Sequence, residues 1–371
     1  MTLVNSAELE ELRKPVRRFF TEKLPESEVR RLMASSEGYD PVVWRQMGSD
    51  LCLQGLMIPE QYGGAGYGLN AMSVVLEEMG RALLPAPFFA TVVLAANALL
   101  LMDDDAAMND YLPGIAGGET IATLALLEES ARWDLDGIQM IAKKSGNEYT
   151  LDGVKSFVLD GHVANLILVA ARIDAGLSLF AVAGETPELV RTPLATLDQT
   201  RKQARLEFSG TPARLIGSAG CAEAALRKTL DLAAIALSAE AVGGAEKCLE
   251  MSVEYAKTRV QFGRPIGAFQ AIKHKCANML CEVEASRAAA YRAASASAAG
   301  SEEAPIVASL AKAYCSEAYV HCATENIHIH GGIGFTWEHP ANLYYKRAKS
   351  LELLFGGPAY HRELLAQRLG I

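Results

Sequence analysis

The sequence lacks three things that would each have set a function class. It has no basic tract interleaved with aromatics, and its 35 Lys+Arg against 44 Asp+Glu leave a net charge of −9. That excludes a nucleic-acid surface, although a local basic pocket can still bind an anionic ester. It has no long apolar run. The best candidate, residues 90–102, is too short to cross a bilayer, which excludes a membrane span. Its seven cysteines (52, 221, 248, 276, 281, 315 and 322) show no metal-type pairing and read as reduced, buried thiols, with no metal site. Met1-Thr-Leu-Val-Asn-Ser6 runs at once into charged residues, which predicts no signal peptide and a cytoplasmic chain.

What is present is bulk: 371 residues, half of them hydrophobic, enough for a large core and more than one domain. Residues 1–118 read as helical, opening on Ser6-Ala-Glu-Leu-Glu with a capping residue and acids in the first turn. Within them the glycine-dense segment 55–68 is a connector, helix resumes from Asn70 to Leu84, and Tyr111–Gly118 has the composition of a linker. Residues 119–214 change period: short apolar runs at 120–127, 149–151, 166–171 and 177–182 alternate with Gly, Asp and Asn turns, which is the grammar of strands. Asn147 to Lys155 reads as two strands around an Asp152-Gly153 turn. From residue 215 to 371 helical spacing returns as a bundle. The fold expected is α+β and multidomain: an N-terminal α-helical domain, a middle antiparallel β-domain and a C-terminal four-helix bundle.

The chain is organised around Tyr255-Ala-Lys-Thr-Arg-Val-Gln-Phe-Gly-Arg-Pro-Ile-Gly-Ala-Phe-Gln270. An Ala-, Leu- and Glu-rich helical pattern precedes it. A second follows, with apolar positions Ile272, Cys276, Met279, Leu280 and Val283. Two glycines and a proline between them end one helix and start the next, leaving Arg259 at a helix C-terminus, free to grip an anion. This string resembles the helix-turn-helix signature of the acyl-CoA dehydrogenase family, flavoproteins that oxidise the Cα–Cβ bond of acyl-CoA thioesters. The Pro59-Glu-Gln-Tyr-Gly-Gly-Ala-Gly66 loop resembles that family's N-terminal domain as well. The order helical, β, helical bundle matches the family architecture.

The resemblance implies FAD as cofactor and an acyl-CoA as substrate. It places Arg259, Gln261, Phe262 and Gln270 on the pyrophosphate and adenosine side of the flavin. A second element, Ile329-His-Gly331-Gly332-Ile-Gly334, matches the paired glycines that let backbone approach the dinucleotide; His328 stands where the family usually has glutamine. His328 and His330 have no Cys or carboxylate partner that would suggest a metal, and His274 reads as a helix-face residue.

The chemical side departs from the family. Thioester dehydrogenation needs a carboxylate to take the α-proton, beside a flavin that takes the β-hydride. Of the two family positions for that glutamate, one holds Phe355, in Leu353-Leu-Phe-Gly-Gly357. The other, about six helical turns before Tyr255, holds Ala233. Asp231 is the nearest substitute, but about 200° round the helix from Ala233. Glu240 and Glu246 read as solvated or interface carboxylates among glycines suited to close helix packing. The family's Thr-Glu-Pro-x-x-Gly-Ser-Asp loop aligns with Leu127-Glu-Glu-Ser-Ala-Arg-Trp-Asp134. Its Trp-Ile-(Thr/Ser) strand reads Phe157-Val-Leu159. Both ring-facing hydroxyls are lost.

A chain with a good nucleotide-tail site and a poor ring site resembles the incomplete subunit of the heterotetrameric acyl-CoA dehydrogenases of actinobacterial sterol side-chain degradation. The expectation is therefore a non-catalytic, flavin-interface subunit paired with a homologous dehydrogenase subunit in lipid or steroid catabolism. Two alternatives stay open: a homo-oligomeric flavoenzyme of this fold with a displaced base or other chemistry, such as desulfination, and a flavin-free binding protein.

Overall fold

The computed structural model describes residues 6–146 and 148–371. The expectation for residues 1–5 and the predicted strand start at Asn147 lie outside these. In chain order the helices are α1 (Ser6–Lys23), α2 (Glu26–Ala34), α3 (Pro41–Ser49), α4 (Leu69–Ala82), α5 (Asn97–Met102) and α6 (Asp105–Ala116). Strands β1 (Ala122–Ala125), β2 (Ile141–Ser145), β3 (Glu148–Leu159), β4 (Leu166–Ile173), β5 (Gly176–Ala183), β6 (Leu189–Pro193) and β7 (Gln203–Ile216) follow. Then come α7 (Ala222–Thr258), a two-stranded hairpin of β8 (Val260–Gln261) and β9 (Arg264–Pro265), α8 (Gln270–Ala298), α9 (Ala304–His330), α10 (Gly332–Phe335), α11 (Ala341–Leu353) and α12 (Pro358–Leu369). Helices thus flank a strand-rich middle. The chain divides into two compact units: Met1–Arg30, Leu69–Leu84 and Ala234–Ile371 form one, Arg31–Gly68 and Pro85–Ala233 the other.

In the helical unit, α4 and α7 touch backbone to backbone. A Cβ on Gly80 would lie 2.1 Å from the Glu240 carbonyl, and one on Gly243 would lie 1.8 Å from the Glu77 carbonyl. The close approach leaves Glu77 and Glu78 buried, and a polar network meets them. Arg13 donates to Glu78 (2.7 Å) and Glu77 (3.0 Å), Arg17 to Glu78 (2.8 Å), Tyr291 to Glu77 (2.6 Å), and Arg287 pairs with Glu77. Buried carboxylates persist only when paired in this way. Of the two readings of Glu240, solvated or interface, the solvated one does not hold: it is buried and bound by Arg347 at 2.6 Å. Glu246 is half-buried and accepts from Arg81 (3.3 Å) and Arg287 (2.9 Å). On α8, Met279 and Val283 are buried as the spacing predicts, while Leu280 of the same pattern is exposed.

In the other unit the strands pair in the order β1-β4-β2-β3-β7-β5. β5 returns to β4, which closes a circuit of pairing, and β6 lies on β7. The ladders are antiparallel except β1–β4 and the short β2–β4 contact, which are parallel. The predicted Asp152-Gly153 turn is absent. β3 runs straight through it with a register shift against β7 after Leu151, Gly153 at φ +138° and the Gly210 N–H on the Asp152 carboxylate at 2.7 Å. The bulge lies on β7, where Gly210 at φ +65° is the extra residue between Ser209 and Thr211, and β3 stays extended because β7 pairs with it on both sides. The reversal between β2 and β3 falls at Gly146, φ +65°. The predicted linker at Tyr111–Gly118 is also mostly helix. Leu112 and Ile115 are fully buried and hold the last turns of α6, which ends only at Gly117. The apolar run at 90–102 is helical, buried from Ala90 to Leu99 and half-buried from Leu100 to Met102.

All seven cysteines are free, but not all are buried: Cys52, in a left-handed turn at φ +52°, Cys221 before α7 and Cys281 on the outer face of α8 are exposed.

Candidate functional site

At one end of the helical unit α7 stops at Thr258. The Arg259 N–H bonds the Tyr255 carbonyl (2.8 Å), and the Ile266 N–H bonds the Arg259 carbonyl (2.8 Å), so the chain folds back as the β8–β9 hairpin. Phe262 and Gly263, both at positive φ, make its tip. Arg259, Gln261, Phe262 and Gln270 are all exposed, Phe262 at 91%. Among the described residues no carboxylate pairs with the Arg259 guanidinium.

The second element ends α9. Gly331 takes φ +67°, and a Cβ on Gly331 or Gly332 would meet nothing within 4 Å, so backbone here is open to a ligand from outside. His328 is exposed, its Nδ1 3.4 Å from Glu325, and Glu325 in turn pairs with Lys275 in the second turn of α8. His330 is buried between two rings, Tyr255 and His339, each 4.3 Å away, and its Nδ1 lies 2.8 Å from the Asn326 carbonyl. Burial lowers the pKa of His330; burial and then the His330 neighbour lower that of His339. The Tyr255–His330 and Lys275–Glu325 contacts bring the hairpin and the glycine turn to the same end of the bundle, so the sequence-predicted residues gather there.

The predicted base positions hold no proton acceptor. Phe355 is 7% exposed, in left-handed backbone at φ +56°, with Gly356 at φ +99°. Its carbonyl lies 3.0 Å from His361 Nε2, while buried Lys312 donates to Gly356 O (3.2 Å), Leu351 O and Glu352 O (3.1 Å each) and Ser316 Oγ (3.0 Å). Burial, partly opposed by Glu352, pushes Lys312 down to about 7. Burial and then the Lys312 charge bring His361 to about 4. Neither residue was found from the sequence. The signal available was a lone cation in the apolar stretch Leu310-Ala-Lys-Ala313. Ala233 is buried, and Asp231 is half-buried on the same helix.

In the strand unit Leu127 and Leu159 are buried. Phe157 is half-exposed at φ +56°, where β3 slips register against β7. Glu128 anchors the loop that follows β1, accepting from Lys155 (2.8 Å), Met140 N (2.9 Å) and Gln139 N (3.0 Å). Burial pushes Lys155 down to about 8. Burial alone would raise Glu128, but the bonds from Lys155 hold it below the ordinary carboxylate range. Arg132 pairs with Asp134 at 2.9 Å on the exposed part of the loop. Among the described residues no group of three or more His, Cys, Asp or Glu could hold a metal, and no helix is long and apolar enough to cross a membrane.

Helices flanking a strand-rich middle, with an Arg-x-Gln-Phe hairpin beside an open glycine turn, define an acyl-CoA dehydrogenase fold. The chain belongs to the acyl-CoA dehydrogenase family: residues 6–119 match its N-terminal domain and 223–370 its C-terminal domain. It is 36% identical to the acyl-CoA dehydrogenase IpdE2 of Mycobacterium tuberculosis, over 91% of this chain and 88% of that protein. Among solved structures it is similar to a variant of the Tcur3481–Tcur3483 steroid ACAD (TM-score 0.89, 32% identity, 98% of each chain). It is also similar to the ChsE4–ChsE5 complex of M. tuberculosis (TM-score 0.90, 29% identity, 100% of this chain and 99% of that one).

Proposed function

We propose that this chain is the supporting subunit of a heteromeric, FAD-dependent acyl-CoA dehydrogenase acting on bulky or steroid-derived acyl-CoA. It would bind the nucleotide end of FAD beside a homologous subunit that carries the base. One contrast carries the reading: the nucleotide-tail end is furnished, whereas both family base positions are apolar, Phe355 and Ala233. Two of the similar structures, described as a steroid ACAD and a two-component complex, support a partner subunit. We take residues 1–118, 119–214 and 215–371 as the three functional parts, in line with the two family segments.

The donor set fits a flavin dinucleotide. Arg259 supplies a guanidinium with no carboxylate partner among the described residues, Gln261 and Gln270 supply amides, Phe262 an exposed ring face, His328 a ring nitrogen, and Gly331–Gly332 bare backbone. A pyrophosphate needs cations and close backbone approach. FAD, when bound, supplies a hydride acceptor for the thioester Cβ. This chain's residues hold the cofactor's tail, and no side chain of Phe355, Ala233, Leu127 or Leu159 can take an α-proton or hydrogen-bond a flavin ring. The proton acceptor must then come from the partner.

Purifying the chain alone and together with a relative encoded beside it, and reading flavin absorbance at about 450 nm, tests this. Flavin only in the mixture is the expected result. Flavin on the chain alone would favour a self-sufficient flavoenzyme, and none in either would favour a flavin-free protein.

A further inference from the structure

A cavity of about 470 Å³ opens inside the helical unit, and no residue of the β8–β9 hairpin or of the glycine turn lines it. That volume suits a small molecule. Its walls come from the end of α1, the start of α2, the end of α4, the start of α11 and from α7. Phe20, Leu24, Val29, Leu83, Met251 and Leu343 supply an apolar wall.

Leu83 is held in that wall against a backbone preference. α4 closes with the Leu83 N–H on the Gly80 carbonyl (3.2 Å) and the Leu84 N–H on the Met79 carbonyl (3.0 Å). In such a close the first residue past the helix takes left-handed backbone, where glycine is usual. Here it is a leucine at φ +51°, 3% exposed. An L side chain is strained there, and glycine would relieve the strain only by removing part of the wall.

The polar side of the cavity selects by charge. Glu78 is spent on Arg13 (2.7 Å) and Arg17 (2.8 Å), and Glu26 pairs with Arg30 at 2.6 Å. Neither carboxylate that lines the cavity is left for a cationic ligand. Lys247 differs. It lies one turn from Met251 on the same face of α7, and among the described residues its one ion pair is with Glu250 at 3.8 Å, beyond hydrogen-bond reach. Glu250 already holds Arg81. The ammonium therefore keeps its donors for an anion.

We infer that this cavity is a binding site for a monocarboxylate with an apolar body, its carboxylate on Lys247 and its chain against Phe20, Leu83 and Leu343. One ammonium matches one negative charge, and the apolar wall disfavours a small hydrophilic anion. The site shares no residue with the proposed flavin-tail end, so its test is independent of that reading.

The test is calorimetric titration of the full-length chain with sodium octanoate, 1-octanol and octylammonium chloride, for wild type, K247M and M251W. Wild type should bind octanoate more tightly than the neutral or the cationic analogue. K247M keeps an apolar stem and loses the charge. It should weaken octanoate about 10- to 100-fold, the range for a charge-assisted hydrogen bond, and leave 1-octanol unchanged. M251W fills the cavity and should abolish binding of both. Melting temperatures of the unliganded variants report their folding, and K247M, at a half-buried position, carries the test if M251W does not fold. Octanoate bound by both variants as by wild type puts it elsewhere on the chain and overturns the site. Equal affinity for octanoate and octylammonium, or no octanoate binding by wild type, overturns it as well.

Discussion

Lys312 shows how much a single residue can fix. Its amine is surrounded by three carbonyls and a hydroxyl, and it ties the end of α11 to Gly356, the neighbour of the strained Phe355. Removing the donor in K312M leaves buried carbonyls unpaired, and stability should fall by about 2–4 kcal/mol in denaturant titration. The group's titration has a sign that can be checked. Folded Lys312 holds its proton only below about pH 7, whereas the unfolded chain keeps it to 10.5. Between those values the unfolded state binds more protons, so this residue's contribution rises with pH across that window, and K312M should remove that part of the slope. His361 acts at the acid end. Its pKa is about 4 in the folded chain against 6.5 in the unfolded one, so the stability it supports is complete above 6.5 and is lost as pH falls toward 4. That loss should reach at most about 3 kcal/mol, and H361Q should unfold over a narrower acid range than wild type. Neither residue was picked out from the sequence: the lone cation within Leu310-Ala-Lys-Ala313 was the signal for Lys312, and a lysine in a helix reads as solvated until its tertiary neighbours are known.

Elements defined by local chemistry were legible. The Gly-Pro break after Arg259 and the glycines after His330 marked their turns correctly, since both depend on neighbours in the chain. Elements decided by distant partners were not. Asp152-Gly153 has the composition of a hairpin turn, yet pairing with β7 on both sides keeps β3 extended. Glu240 read as a solvated or interface acid, and its burial depends on Arg347, which comes to it from α11. The α4–α7 contact was readable only as a hint from glycine content. It predicts that Gly243→Ala, whose Cβ would press 1.8 Å from the Glu77 carbonyl, costs at least about 2 kcal/mol by separating two backbones. An alanine at solvent-open Gly332, where a Cβ meets nothing, should leave the melting temperature nearly unchanged. Thermal melts of the pair compare a glycine at a backbone contact with one in open space.

At the scale of the whole molecule the proposed role follows from one contrast: exposed Arg259, Gln261 and Phe262 at the end where Gly331 and Gly332 lie open, against apolar Phe355 and Ala233 at the positions where the family resemblance expects a base. The fold and family could be read from two motifs and the order of helices and strands. The assignment of roles between this chain and a partner came from what the family positions fail to contain. The most direct measurement is flavin content and acyl-CoA oxidation in an assembly of this chain with the proposed partner subunit, comparing wild type with R259Q in this chain only. The account predicts that R259Q strips flavin absorbance at about 450 nm and turnover with it, although the partner is unaltered. Full flavin and full turnover in that assembly would contradict it.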